Sequence, residues 1–169
     1  MDGASSQSQT APSSPQAASH SLSIERIFDA PRDVVFAAWT SAELMLRWMG
    51  PEDHPAVDLT QDLRVGGRWT ARLRPRAGGA DLLQGGVFQE IAPPSRLAFT
   101  FAWESDNHED GPGVETLVTI DLLEEGRRTR MIFCQSGLVS AQSASGHTAG
   151  WTSTFDRLAD DLEKSRRDA

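Results

Sequence analysis

Apolar and polar positions change rhythm three times along this chain. SLSIERIFDA, starting at Ser21, alternates as a half-buried strand does. PRDVVFAAW then takes helical spacing, with Pro31 in the first turn and Asp33 favourably near the helix N-terminus. Thr40 and Glu43 in TSAELMLRW have the spacing of a capping box, which predicts a second short helix directly afterwards. Beyond Gly50 and Pro51 come PAVDLTQDL, GRWTARLRP, LLQGGVFQEI, RLAFTFAWE, VETLVTIDLL and RTRMIFCQSG, each separated from the next by a turn signal. Most of these connections are short, which favours an antiparallel meander over crossovers. The last rhythm is helical again: His147, Trp151, Phe155, Leu158 and Leu162 line one face, while Arg157, Asp160, Asp161 and Lys164 take the rest.

Strand faces are readable at several points. Leu97, Phe99, Phe101 and Trp103 share one face; Trp69, Ala71 and Leu73 oppose Arg68, Thr70, Arg72 and Arg74; Val114, Thr116, Val118, Ile120 and Leu122 oppose Glu115, Thr119 and Asp121. One sheet face is therefore apolar, and the long C-terminal helix is the element able to cover it. LLQGGVFQEI is ambiguous, because Phe88 opposes the set Val87, Gln89 and Ile91.

Composition bounds the function. Residues 1–20, rich in Ser, Ala, Gln and Pro, are expected to form a flexible tail, 21–165 a single domain and 166–169 a short C-terminal tail. A lone cysteine, Cys134, rules out an internal disulfide framework and fits a reducing compartment. No apolar run approaches the roughly 20 residues needed to span a bilayer, and the N-terminus lacks both a basic region and an apolar core of the secretory kind, so a cytoplasmic location is expected. The net charge of -8 argues against nucleic-acid or anionic-membrane partners.

The segments APRDVVFAAWT, SAELMLRWMGP, VGGRW, GGVFQEIAPPSRLAFTFAW, TRMIFCQSGL and HTAGW occur in that order. In them the chain resembles the activator of heat-shock-protein-ninety ATPase homologue-like (AHSA-type) family of the START-like (SRPBCC) helix-grip superfamily, over about residues 22–165. The resemblance implies an α+β helix-grip fold: a curved antiparallel sheet wrapped around a long C-terminal helix, with two short helices after the first strand. It also implies a cavity between helix and sheet of the kind that holds lipids, sterols or polyketides. It supplies no shared catalytic set.

Within that frame Trp48, Trp69, Phe99, Phe101, Trp103 and Trp151 are either plain core or the aromatic wall of a ligand cavity. Gln135, which shares a face with Met131 and Phe133, and His147 are the candidate polar groups that orient one end of a ligand. Gly150, mid-helix at a cost of about 1 kcal/mol relative to alanine, implies a close approach at that turn. DNHED, with Asp106, His108, Glu109 and Asp110, offers nominal metal ligands, but contiguous loop side chains seldom converge, and a solvated turn is the expectation. The stripe Arg68, Arg72, Arg74 and Arg76 is expected to be solvated, pairing with Glu115 and Asp121 if those strands lie close. Cys134 points away from the proposed interior, no G-x-S-x-G elbow or phosphate loop occurs, and His147 has no evident orienting carboxylate short of Glu90 or Glu115. The expected function is non-catalytic binding of an apolar small molecule, without cofactor or metal, by a monomer or homodimer. The alternatives are a cyclase- or hydrolase-type enzyme with His147 as acid or base, and the chaperone contact that the family name suggests.

Overall fold

The computed structural model describes residues 19–105 and 110–169. The tail expected over 1–20 lies outside the described residues as far as position 18, and His20 already belongs to the first strand. The elements are β1 (His20–Phe28), α1 (Arg32–Thr40), α2 (Ala42–Met45), β2 (Ala56–Gln61), β3 (Arg68–Leu73), β4 (Leu82–Ala92), β5 (Arg96–Trp103), β6 (Thr116–Glu125), β7 (Arg128–Leu138) and α3 (Ala141–Arg167). Seven strands form one antiparallel sheet in the order β1-β7-β6-β5-β4-β3-β2. It is a meander closed at one edge by β1, the helix-grip arrangement the motifs imply.

Helix ends follow local chemistry. Pro31 precedes α1 with extended backbone, and its carbonyl accepts from the amides of Val34 and Val35. The second cap differs from the expected box: Ser41, not Thr40, is the N-cap of α2, its hydroxyl accepting from the Leu44 amide at 3.3 Å. Thr40 is still in α1, where its hydroxyl donates to the Phe36 carbonyl. Ser140 caps α3 by accepting from the Ser143 amide at 2.9 Å. The buried stripe of α3 begins one turn earlier than the sequence spacing indicates, at Ser143, and its last turn carries Lys164, Arg166 and Arg167 beside the negative end of the helix dipole. None of the described helices is long and apolar enough to cross a membrane.

The inward faces read from alternation on β3, β5, β6 and β7 are buried. The ambiguous strand, β4, is resolved by a bulge. Phe88 pairs with Phe99, but the register shifts before Glu90 pairs with Ala98 and Ile91 with Leu97. One extra residue reverses side-chain parity, so Gln84 and Phe88 face inward before the bulge and Ile91 after it. Gly86 sits where a side chain would be impossible: an added Cβ would lie 1.8 Å from the Thr100 carbonyl oxygen and 2.8 Å from Nε1 of Trp69. Its absence lets the Trp69 indole donate to that carbonyl at 3.0 Å.

The second half of α3 is seated by an aromatic cluster. Phe133 lies 4.6 Å from Trp151 and 5.1 Å from Phe155 between ring centroids, and Trp39 joins from α1 at 6.0 Å from Phe155. Truncation of a fully buried ring of this kind loses transfer energy and leaves a void. Phe155→Ala is expected to cost about 3–5 kcal/mol, read as a melting temperature lower by about 10 °C.

Candidate functional site

α3 is two helices in composition. From Trp151 onward its inner face is mostly large and apolar, whereas 141–150, AQSASGHTAG, has His147 as its one large buried side chain. Seating the first part against the sheet leaves the second spaced away from it. The result is a cavity of about 390 Å³, bounded by α3, by Leu73, Leu82, Gln84, Phe101 and Trp103 of the sheet, and by Met49 to Pro51 and His54 of the α2–β2 connection. Gly146 and Gly150 form part of its wall, and a Cβ built on either meets nothing within 4 Å. The close approach expected at Gly150 is therefore absent, and the glycine leaves open space instead.

The α2–β2 connection is held to the helix from outside. Arg157 donates to the carbonyls of Met49 at 2.9 Å, Gly50 at 2.8 Å and Arg47 at 3.3 Å, while the Glu52 amide donates to the Ser153 hydroxyl at 2.9 Å. Burial draws the Arg157 guanidinium below the ordinary arginine value, against the pull of neighbouring Glu52.

His147 sits in a chain of polar contacts. Its Nδ1 lies 2.8 Å from the Ser143 carbonyl, which only accepts, so Nδ1 carries the proton and Nε2 accepts from the Trp103 indole at 3.0 Å. The Ser143 hydroxyl donates to the Asp110 carboxylate, 2.6 Å from Oδ2, and that oxygen stands 3.5 Å from His147 Nδ1. Two expectations are corrected here. Asp110 is buried at 3% exposure, not part of a solvated turn, and it supplies the carboxylate beside His147 that spacing alone did not identify. Glu90 instead pairs with Arg96. Asp106, His108 and Glu109 lie outside the described residues, and no cluster able to hold a metal occurs among the described ones.

The sequence-nominated aromatics divide. Phe101, Trp103 and Trp151 line the cavity with His147. Trp48, Trp69 and Phe99 are buried core: Trp48 packs edge-on to Trp39 at 4.8 Å, and Trp69 packs against Phe99 at 5.4 Å. Gln135 is fully buried but is not part of the cavity wall. Its amide donates to Thr116 Oγ1 at 3.0 Å and its carbonyl accepts from the Trp151 indole at 2.9 Å, while Thr116 donates to the Phe101 carbonyl. Gln135 thus holds two wall residues from behind. Gln84, inward-facing and buried, is the wall residue the sequence reading missed, hidden by the parity change at the β4 bulge.

The arginine stripe pairs, though not as expected. β3 and β6 are separated by β4 and β5, so Arg68 meets Glu104, Arg72 and Arg74 meet Asp81, and Arg76 meets Glu52; Asp121 is taken by Arg96. These are exposed pairs of small energetic weight.

Gln135→Leu would leave the Trp151 indole N–H without its buried acceptor, at an expected cost of about 1–3 kcal/mol. Urea unfolding should show that loss as a lower midpoint with an unchanged slope.

The sequence matches the family model described as "Activator of Hsp90 ATPase homolog 1-like protein" over residues 29–163. Among solved structures, the crystal structure of the AHSA1 protein from Silicibacter pomeroyi is similar, with TM-score 0.75 and 27% identity, over 86% of this chain and 99% of that one. A protein from Arthrobacter aurescens solved by NMR gives TM-score 0.74 and 25% identity over 85% and 86% of the two chains. A protein from Rhizobium leguminosarum, at 24% identity and TM-score 0.74 over 88% and 97%, shares the fold. No match is found among curated proteins. From α1 to the late turns of α3 the chain follows one family pattern, and it belongs to the activator of Hsp90 ATPase homolog 1-like family, with its helix-grip fold.

Proposed function

We propose that this protein binds an apolar small molecule, lipid-, polyketide- or aromatic-like, between α3 and the sheet. The observation that carries the reading is the cavity itself: about 390 Å³ within the range of small-molecule sites, walled by Phe101, Trp103, Trp151, Leu73 and Met49, with no acidic side chain, arginine or lysine among its lining residues. Affinity in such a site comes mainly from apolar burial, at about 25 cal/mol per Å² before the costs of association. The family's fold, which commonly encloses hydrophobic ligands, agrees with it.

Binding is favoured over turnover by the state of His147. Both ring nitrogens are engaged within the protein, one by the Ser143 carbonyl and one by the Trp103 indole. A general base needs a ring nitrogen within reach of the substrate proton. His147 therefore serves as wall and brace between β5 and α3.

Native mass spectrometry of gently purified protein, with extraction and identification of any bound compound, tests the reading when Gly150→Leu is run beside it. Leucine fills open space and replaces a poor helix former, so the variant should melt no lower than wild type. Wild type is expected to carry or take up an apolar compound that Gly150→Leu excludes. Equal uptake by both proteins, or a wild type that ignores a panel of apolar dyes and lipids, overturns the proposal.

A further inference from the structure

One buried polar side chain in the cavity wall, Gln84, has no partner among the described residues. Gln84 is paired across the sheet with Ala71 on one side and Trp103 on the other, both inward-facing, so its side chain shares their face. It is 3% exposed and lines the cavity. Among the described residues nothing hydrogen-bonds its amide. The other buried polar side chains of the wall are committed elsewhere: Ser143 donates to Asp110, Thr154 to the Gly150 carbonyl, and His147 bridges Ser143 and Trp103. Buried amides in folded proteins are nearly always paired, because an unpaired one forfeits its hydration without return. An amide held open inside an apolar wall is the pattern of a site that a bound molecule completes.

Resting on the cavity-binding reading, we infer that Gln84 selects ligands bearing a neutral carboxamide or lactam on an apolar, ring-sized body. A glutamine presents a carbonyl acceptor and an N–H donor side by side, and an amide of the ligand meets both at once. A hydrocarbon would leave both unmet. A carboxylate would meet only the donor and would bring a charge into a wall lined by no arginine or lysine, with the Asp110 carboxylate behind Ser143. The same logic makes polar sites discriminate more sharply than apolar ones, since the wrong ligand strands the buried protein group.

Three probes of one shape test this with the full chain: anthracene-9-carboxamide, 9-methylanthracene and anthracene-9-carboxylate. Binding is read by energy transfer from tryptophan, since Trp103 and Trp151 line the cavity. Wild type should bind the carboxamide about tenfold more tightly than the methyl compound, with the carboxylate weakest. Gln84→Met, matched in length, should bring carboxamide and methyl compound to within about twofold of each other while its unfolding midpoint does not fall, since no protein hydrogen bond is lost. Wild type that binds carboxamide and methyl compound equally, or Gln84→Met that keeps the full preference, overturns the role of Gln84 and leaves the cavity reading standing. Wild type that binds none of the three, even at the solubility limit, overturns the cavity reading and this inference with it.

Discussion

Phe133 of β7 is met by Trp151 and Phe155 of α3, with Trp39 of α1 closing the group and Trp48 packed behind it. These rings fix the depth at which the long helix rests on the sheet. α3 is one continuous helix of 27 residues, so its height at one end constrains its height at the other. Because the seated end carries rings and branched chains and the other end carries alanine, serine and glycine, the sheet side of the latter end is not filled. The cavity is thus a consequence of where bulk is placed along one helix, with sheet curvature supplying the far wall.

The polar groups inside this assembly follow the same division. Beside the seated end Gln135, Thr116 and Trp151 form a closed network, in which the indole bond to Gln135 holds the Trp151 ring in place. Along the spaced end, the Trp103 to His147 bond ties strand to helix across the cavity wall and prevents the first turns of α3 from drifting. Among the described residues two buried side-chain atoms lack partners, Trp39 Nε1 and Gln61 Oε1. They are sealed beneath α1 and α2, where Gln61 donates to the Trp39 carbonyl, and neither residue lines the cavity. Gln84 differs because its amide faces open volume.

Much of this was legible in the chain. Strict alternation gave the inward faces of β3, β5 and β7, and the 3.6-residue stripe gave the covering face of α3, because burial on one side imposes a period that survives in sequence. What was not legible arose where an element breaks its own period or meets a distant one. The bulge after Phe88 reversed parity on β4 and concealed Gln84. Asp110 follows a polar stretch of sequence, and its burial against Ser143 depends on a contact across 33 positions that no local pattern carries. Gln135 was read inward correctly, but whether an inward amide faces a ligand or a tryptophan indole is decided by three-dimensional neighbours alone. The Ser41 cap displaced the Thr40 box by one residue, which is within the usual uncertainty of helix ends.

Gly146 and Gly150 carry a further meaning. Folding alone does not call for either glycine, since alanine is the better helix former and a Cβ at each position meets nothing within 4 Å. Separate stretches of one helix therefore answer to separate demands: changes at Trp151, Phe155, Leu158 and Leu162 are felt as loss of packing, and changes at Gly146 and Gly150 chiefly as a change in the space enclosed. A scaffold divided in this way can change the volume between helix and sheet one small residue at a time while its packed half stays intact.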